Sequence, residues 1–199
     1  MLYDRIASRY DRCIEPLERL GLARWRAEAA AELPPGSRVL EIGAGTGRNL
    51  PFYSAAAGEI ALTELSLPML ETARTRAAAS VHLIQADAVC LPFADDTFDA
   101  AIATLVFCSI PSPQKAFAEL IRTVRSGGSV VLLEHVRPPG LLGLAFDAIN
   151  VVTSRVFDDH FNRRTAELAH DAGLRIVALR PKLGGVVNLI VAEVAKGRR

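Results

Sequence analysis

The run Arg38-Val39-Leu40-Glu41-Ile42-Gly43-Ala44-Gly45-Thr46-Gly47-Arg48-Asn49-Leu50 leaves little choice of fold. An apolar stretch carries an acid near its end, glycines then alternate with Ala and Thr, and a helical pattern begins: a strand, a tight turn and a helix start. Glycine lets a backbone turn with φ > 0 and approach a ligand closely, because it has no Cβ. The helix start offers its free N–H groups toward the same ligand. A flat or charged ligand on this turn is the expectation.

The spacing bears on which ligand. Dinucleotide turns read GxGxxG with a pyrophosphate on the helix N-terminus. This chain reads GxGxG, with Glu41 two residues ahead of Gly43, where an acid would repel a pyrophosphate and suit a cofactor with a positive end. The run "VLEIGAGTG", Val39 to Gly47, resembles the first motif of class I S-adenosylmethionine-dependent methyltransferases. That resemblance implies S-adenosyl-L-methionine as cofactor, with Glu41, Gly43, Gly45, Thr46, Gly47 and Asn49 around it.

Later segments extend the resemblance. "TELSLPML", Thr63 to Leu70, is similar to the family's "DLSPEML", with Glu64 in the place of the usual acid. A carboxylate at the end of a second strand can accept ribose hydroxyls, and Leu65 and Met69 would border the adenine. "QADAVCLPFADDTFDA" resembles the next family run: Asp87 could accept from the adenine amino group and the Ala88 N–H could donate to a ring nitrogen. The nearly continuous apolar run Ala100 to Leu105 reads as a central parallel strand buried on both faces. Its end, including Thr104 and Ser109, would sit beside the cofactor, since open α/β sheets bind ligands outside the carboxyl ends of their strands. His135 follows the fifth strand, Val130 to Glu134. It reads either as a proton acceptor or as a side chain bonded to a backbone carbonyl.

A chain of 199 residues suits one domain. With 23 Lys+Arg against 22 Asp+Glu the net charge is +1, so no global field recruits nucleic acid. Cys13, Cys90 and Cys108 lie far apart with no CxxC and read as buried small residues of a reduced cytoplasmic protein, and no metal site is expected. The N-terminus is charged from Asp4 onward, unlike a secretory leader.

Residues 1 to 33 read as two helices divided near Glu15-Pro16. Arg5, Arg9 and Arg12 recur at helical spacing, either as a solvated face paired with Asp4, Asp11 and Glu15 or as a contact for anionic lipid. "YDRIA" and "YD", Tyr3 to Ala7 and Tyr10-Asp11, resemble the "YDxIAxxYD" opening of ubiquinone/menaquinone C-methyltransferases and small bacterial phosphatidylethanolamine N-methyltransferases. The resemblance implies a lid over the cofactor, with Tyr3 and Tyr10 touching cofactor and acceptor. Leu141 to Phe157 is apolar but interrupted by Asp147, Asn150 and Arg155; it would roof an acyl pocket, dip into a membrane surface or simply pack. Asn162 is a candidate helix cap, and Arg163 or Arg164 could hold a phosphate. Leu174 to Leu179 and Val186 to Ala195, around Gly184-Gly185, read as a closing hairpin.

The expected fold is a single α/β domain: a Rossmann-like seven-stranded, mostly parallel sheet with an antiparallel last strand. Its parts are a helical lid (1–36), a cofactor-binding core (37–137), an apolar insertion (138–171) and closing strands (172–199). The expected activity is N-methylation of phosphatidylethanolamine, possible in successive rounds to phosphatidylcholine, by a cytoplasmic protein held on the inner, anionic face of the membrane. Arg5, Arg9, Arg163 and Arg164 would bind the phospholipid, and Tyr3, Tyr10 and His135 would serve catalysis. The alternatives are C-methylation of a quinone precursor, methylation of a small thiol or amine, and a cofactor-binding membrane-attached module. The sequence leaves the oligomeric state open.

Overall fold

The computed structural model describes residues 2–53, 58–138, 143 and 163–196. The glycine turn follows a fully buried strand, β1 (Val39–Ile42). From it the chain winds outward through β2 (Ile60–Glu64), α3 (Leu67–Arg74) and β3 (Val81–Gln85). It then crosses back to β4 (Phe98–Thr104), α4 (Pro113–Thr123) and β5 (Val124–His135). A short helix α5 (Thr165–Asp171) leads to β6 (Leu174–Lys182) and β7 (Val187–Val194). The sheet order is β3-β2-β1-β4-β5-β7-β6. β7 runs antiparallel to both β5 and β6, while β1 pairs parallel with β2 on one side and β4 on the other. The winding direction therefore reverses between β1 and β4, and their carboxyl ends open the crevice in which such sheets bind ligands.

Burial follows the apolar runs. Leu40, Ile42, Ala101, Ala103, Val130 and Leu132 are fully buried in one cluster with Phe107 and Phe117. Those two rings stack at 4.2 Å and seat the loop after β4 on α4. On the other face Ile102, Val131 and Leu133 meet Leu22 and Ala29 from the N-terminal helices.

Several expectations are corrected here. The first helix, α1 (Leu2–Leu17), runs through Pro16. The carbonyl freed by that proline belongs to Arg12 on the exposed side of the helix, where water can satisfy it. The break comes instead in a π-helical turn, Glu18–Leu22, at Gly21 with φ 134°, before α2 (Ala23–Ala30). A Cβ on Gly21 would lie 3.2 Å from the Trp25 ring, so both the backbone angle and the close approach demand glycine. Gly127-Gly128 lies inside β5, which begins directly after α4. Cys108 is buried as expected, whereas Cys13 and Cys90 are exposed. The apolar stretch Leu141 to Phe157, apart from Gly143, and the Asn162 cap lie outside the described residues.

Candidate functional site

The glycines of the turn do different jobs. A Cβ on Gly43 would come within 2.4 Å of Val106 Cγ1, and one on Gly47 within 2.8 Å of Leu50 Cδ1, so these two admit neighbouring protein. A Cβ on Gly45 would meet nothing within 4 Å, so this glycine faces open space at the strand ends. Its N–H donates to Glu64 Oε2 at 2.8 Å, and the Ser66 N–H donates to Glu64 Oε1 at 2.8 Å. Burial pushes the Glu64 carboxyl up, against the pull of backbone N–H groups from Ser66, Gly45 and Leu65. Each carboxylate oxygen keeps a further lone pair for a ligand hydroxyl. An open glycine turn beside an acid at the end of β2 fits the ribose of S-adenosyl-L-methionine. Gly45→Ala is expected to lower the melting temperature by only a few degrees, because left-handed φ (56°) costs an alanine about 1–2 kcal/mol. It should weaken cofactor binding more, since the new methyl enters the open space; calorimetric titration of the folded variant measures both.

Glu41 is not the open acid expected from the sequence. It is 1% exposed, and its oxygens accept from Asn49 Nδ2 at 2.8 Å and the Tyr53 hydroxyl at 2.7 Å. Burial pushes it up to about 7, opposed by those hydrogen bonds and by the Arg26 charge, with Glu64 adding to the rise. Asn49 likewise turns away from the cleft: it also donates to Thr104 Oγ1 at 3.0 Å and accepts from Arg26 Nη1 at 2.8 Å. Thr46 is 1% exposed, and its hydroxyl donates to Asp11 Oδ1 at 2.7 Å.

At the other strands, Leu65 is 40% exposed at the end of β2, whereas Met69 at 1% is closed over. Asp87 lies exposed just after β3, its Oδ1 accepting the Val89 N–H at 3.1 Å, with Ala88 part-buried beside it. Ser109 spends its hydroxyl on the Val106 carbonyl at 2.9 Å. His135 ends β5, half-buried opposite Val187, at the same edge of the sheet as the end of β4.

Helix α1 packs one face against α3, beside this edge. Tyr3 and Tyr10 sit edge to face, 6.4 Å between ring centroids. Burial pushes the Tyr10 phenol up, which keeps it in its neutral, hydrogen-bonding form. Asp4 Oδ1 accepts from the Ser66 hydroxyl at 2.6 Å. Asp11 takes Thr46, Arg48 and Arg76 together, and Arg48 reaches on to Glu15 at 3.1 Å. Burial works against the Asp11 charge, but the hydrogen bonds from Arg76, Thr46 and Arg48 outweigh it and hold the carboxyl below its ordinary range.

Of the arginines assigned to substrate, Arg163 is corrected. Arg5 and Arg9 lie exposed on the outer side of α1, away from the face that carries Tyr3 and Tyr10. Arg163 Nη1 donates to the carbonyls of Phe107 and Ile110, clamping the loop after β4 instead of offering itself to a phosphate. Arg164 is exposed and pairs with Glu167 at 3.3 Å.

Sequence reading missed Glu134, Arg26, Arg48, Tyr53 and Arg76, and it misplaced Asp4 and Asp11. Glu134 is wholly buried at the end of β5 and accepts the N–H groups of Val106 (3.0 Å) and Phe107 (3.2 Å). It holds the bend after β4 in which Leu105 adopts a left-handed φ of 56°, an uncommon strain for a non-glycine residue. A lone acid at the end of an otherwise apolar strand, "VVLLEH", was the available signal.

Comparison with known proteins agrees with this geometry. A family model described as "Methyltransferase domain" matches residues 40–132. A demethylmenaquinone methyltransferase of Thermus thermophilus is 36% identical over 154 residues, covering 73% of this chain and 70% of the relative. A phosphatidylethanolamine N-methyltransferase of Cereibacter sphaeroides is 38% identical over 117 residues, covering 55% and 56%. The chain spans 58% of the length of the demethylmenaquinone methyltransferase of Clavibacter sepedonicus, and 87% of that of Beutenbergia cavernae at 28% identity. A solved SAM-dependent methyltransferase of Thermotoga maritima superposes with a TM-score of 0.74 at 23% identity, covering 97% of this chain and 98% of the other, a likeness of fold.

Proposed function

Because the chain belongs to the class I S-adenosylmethionine-dependent methyltransferases and its cofactor is S-adenosyl-L-methionine, we propose that it methylates a ring carbon of a prenylated quinol precursor of the demethylmenaquinone type. The observation that carries this acceptor is the Thermus thermophilus relative, similar across more than two thirds of both chains. The sequence alone favoured phosphatidylethanolamine; that acceptor is the second reading, supported by the Cereibacter sphaeroides relative over a shorter stretch.

When bound, the cofactor supplies an already electrophilic methyl group, so orientation and water exclusion can provide much of the catalysis, about 7–11 kcal/mol. The residues at hand suit that task. Glu64 and the open turn at Gly45 hold the ribose side, and Asp87 stands where the adenine would end. Tyr3 and Tyr10 cover the cleft with aromatic surface. A lipid amine must shed a proton from a group that ordinarily titrates near 10.4, and the Tyr10 phenol, raised by burial, is a poor acceptor for it. A quinol ring carbon has no protonated lone pair to free, and the neighbouring hydroxyl, whose proton loss strengthens the attack, is a more acidic group than an alkyl ammonium. The proton leaving that carbon needs only a weak base, a task open to His135.

An acceptor of this kind is lipid-soluble, which supports peripheral work at a membrane surface. Among the described residues no helix is long and apolar enough to cross a membrane. What supports surface contact is the lid's outer face. Asp4, Asp11 and Glu15 are engaged by Ser66, Arg48, Arg76 and Arg19, so the pairing with Arg5, Arg9 and Arg12 that sequence allowed is not formed among the described residues. Leu17 (44%) and Leu20 (77%) are exposed farther along the same segment. Each arginine near an anionic surface is worth about 1 kcal/mol, so the triple change Arg5→Ala, Arg9→Ala, Arg12→Ala should weaken sedimentation with phosphatidylglycerol vesicles roughly a hundredfold. Unchanged sedimentation would remove the surface role.

The acceptor is tested by supplying labelled S-adenosylmethionine to vesicles that contain either reduced demethylmenaquinone or phosphatidylethanolamine. Label in the quinone fraction supports the first reading. Label only in mono-, di- or trimethylated lipid would replace it with the second.

A further inference from the structure

The lid's kink encloses a buried cation. Glu18 precedes Gly21 and Arg26 follows it, and Arg26 Nε donates to Glu18 Oε1 at 3.0 Å with the two side chains only 6% and 7% exposed. The same guanidinium gives Nη1 to Asn49 Oδ1 at 2.8 Å. Asn49 in turn donates to Glu41 Oε1 at 2.8 Å and Thr104 Oγ1 at 3.0 Å. One connected line thus runs from the hinge of the lid, through the helix start after the glycine turn, to the last residues of β1 and β4. A buried ion pair returns little net stability for the desolvation it costs, so the distinctive feature of this one is where its second hydrogen bond goes.

We propose that Arg26 is a positioning residue for cofactor binding: by gripping Glu18 on one side and Asn49 on the other, it sets the glycine turn and Glu41 in register with the seated lid. The inference rests on the cofactor assignment and is independent of the acceptor. Glu41 faces Tyr53 from the turn at Leu50–Phe52, Asn49, Arg26 from α2 and, farther away, Glu64 from β2. Among those described groups Arg26 is the sole cation, so it both orients Glu41 through Asn49 and favours its ionised form.

Calorimetric binding of S-adenosylmethionine across pH 5.5–8.5, roughly one to two units either side of Glu41, separates these roles. Wild-type affinity should climb through about pH 7 as Glu41 ionises and attracts the cationic cofactor. The cofactor's own amino group titrates identically with every variant and cancels from the comparison. Arg26→Met should bind about tenfold more weakly at neutral pH, the scale of one hydrogen bond to a charged group. Its climb should move upward by about one pH unit, because the opposite charge is gone. Arg26→Lys keeps the charge but cannot span both partners, so its climb should stay near the wild-type position while affinity still falls. Glu18→Gln frees the Arg26 charge from its partner and should move the climb downward.

A merely structural Arg26 would change melting temperature without moving the pH of the climb. Folded Arg26→Met with wild-type affinity and an unmoved climb would overturn the proposal. Should that variant not fold, an unmoved or upward-moving climb in Glu18→Gln does the same. Failure of the wild-type protein to bind S-adenosylmethionine at any pH would instead overturn the cofactor assignment, which keeps the two failures distinct.

Discussion

Glu64→Ala should weaken S-adenosylmethionine binding by about two to four orders of magnitude, because two hydrogen bonds to a charged acceptor, each about 1.5–3 kcal/mol, disappear from the ribose side. The carboxylate has two duties. It gathers the N–H groups of Gly45 and Ser66, bringing the glycine turn and the start of α3 to one point, and it keeps lone pairs for the ligand. Alanine ends both, whereas Glu64→Gln keeps one carbonyl acceptor and should fall between alanine and wild type. Equilibrium binding at a temperature well below each variant's melting point isolates the effect from stability. Near wild-type affinity in Glu64→Ala would mean that the end of β2 does not face the cofactor.

The largest stability effect is expected at Glu134, the buried acid at the end of β5. Glu134→Ala leaves the N–H groups of Val106 and Phe107 unpaired beneath the left-handed Leu105. Two unpaired buried donors cost about 4 kcal/mol together. For a chain of this size that corresponds to a fall in melting temperature of about 8–16 °C. Glu134→Gln retains an acceptor oxygen and should lose less than half as much. Thermal unfolding followed by circular dichroism measures both; a fall smaller than about 2 °C in the alanine variant would show that the bend does not depend on this carboxylate. Because the same loop carries Thr104's neighbours and Ser109, cofactor affinity should decline with it.

The strands were legible because their physics is local. β1, β2 and β4 are largely apolar, buried runs, and a buried parallel strand needs little more to announce itself. The turn was legible for the same reason, since glycine at Gly45 answers to its own φ. What the sequence hid was the set of pairings made when the lid docks. Asp11 meets Thr46 and Arg76, 35 and 65 residues away, and Asp4 meets Ser66, 62 residues away. Read locally, those acids lie next to Arg5, Arg9 and Arg12 in the sequence, and the solvated pairing looks natural. Only docking turns Asp4 and Asp11 inward, so that among the described residues they pair with Ser66, Thr46, Arg48 and Arg76 instead of Arg5, Arg9 and Arg12. Glu41 was misread by the same route: an acid before a glycine turn suggests a ligand, but Asn49 and Tyr53, brought round by the following turn, claim its oxygens first. Pro16 and Gly21 show how context selects between two helix breakers. A missing N–H on an exposed face is tolerated, whereas a φ of 134° pressed against Trp25 leaves no helical continuation.

The resemblance pointed to the right cofactor because its motifs lie on the sheet edge common to all these enzymes. It left the acceptor open, because acceptors are chosen by what lies over that edge. In this chain the described cover is α1; residues 139–162, which the sequence suggested as a roof for an acyl pocket, lie outside the described residues except Gly143.

Hydrogen exchange with and without S-adenosylmethionine tests the placement of the site most directly. Added protection confined to Glu41–Asn49, Glu64–Leu67, Asp87–Cys90 and the lid, residues 3–22, is the expected result. Measured binding that protects none of these segments, or protects only β6 and β7 on the far side of the sheet, would contradict it.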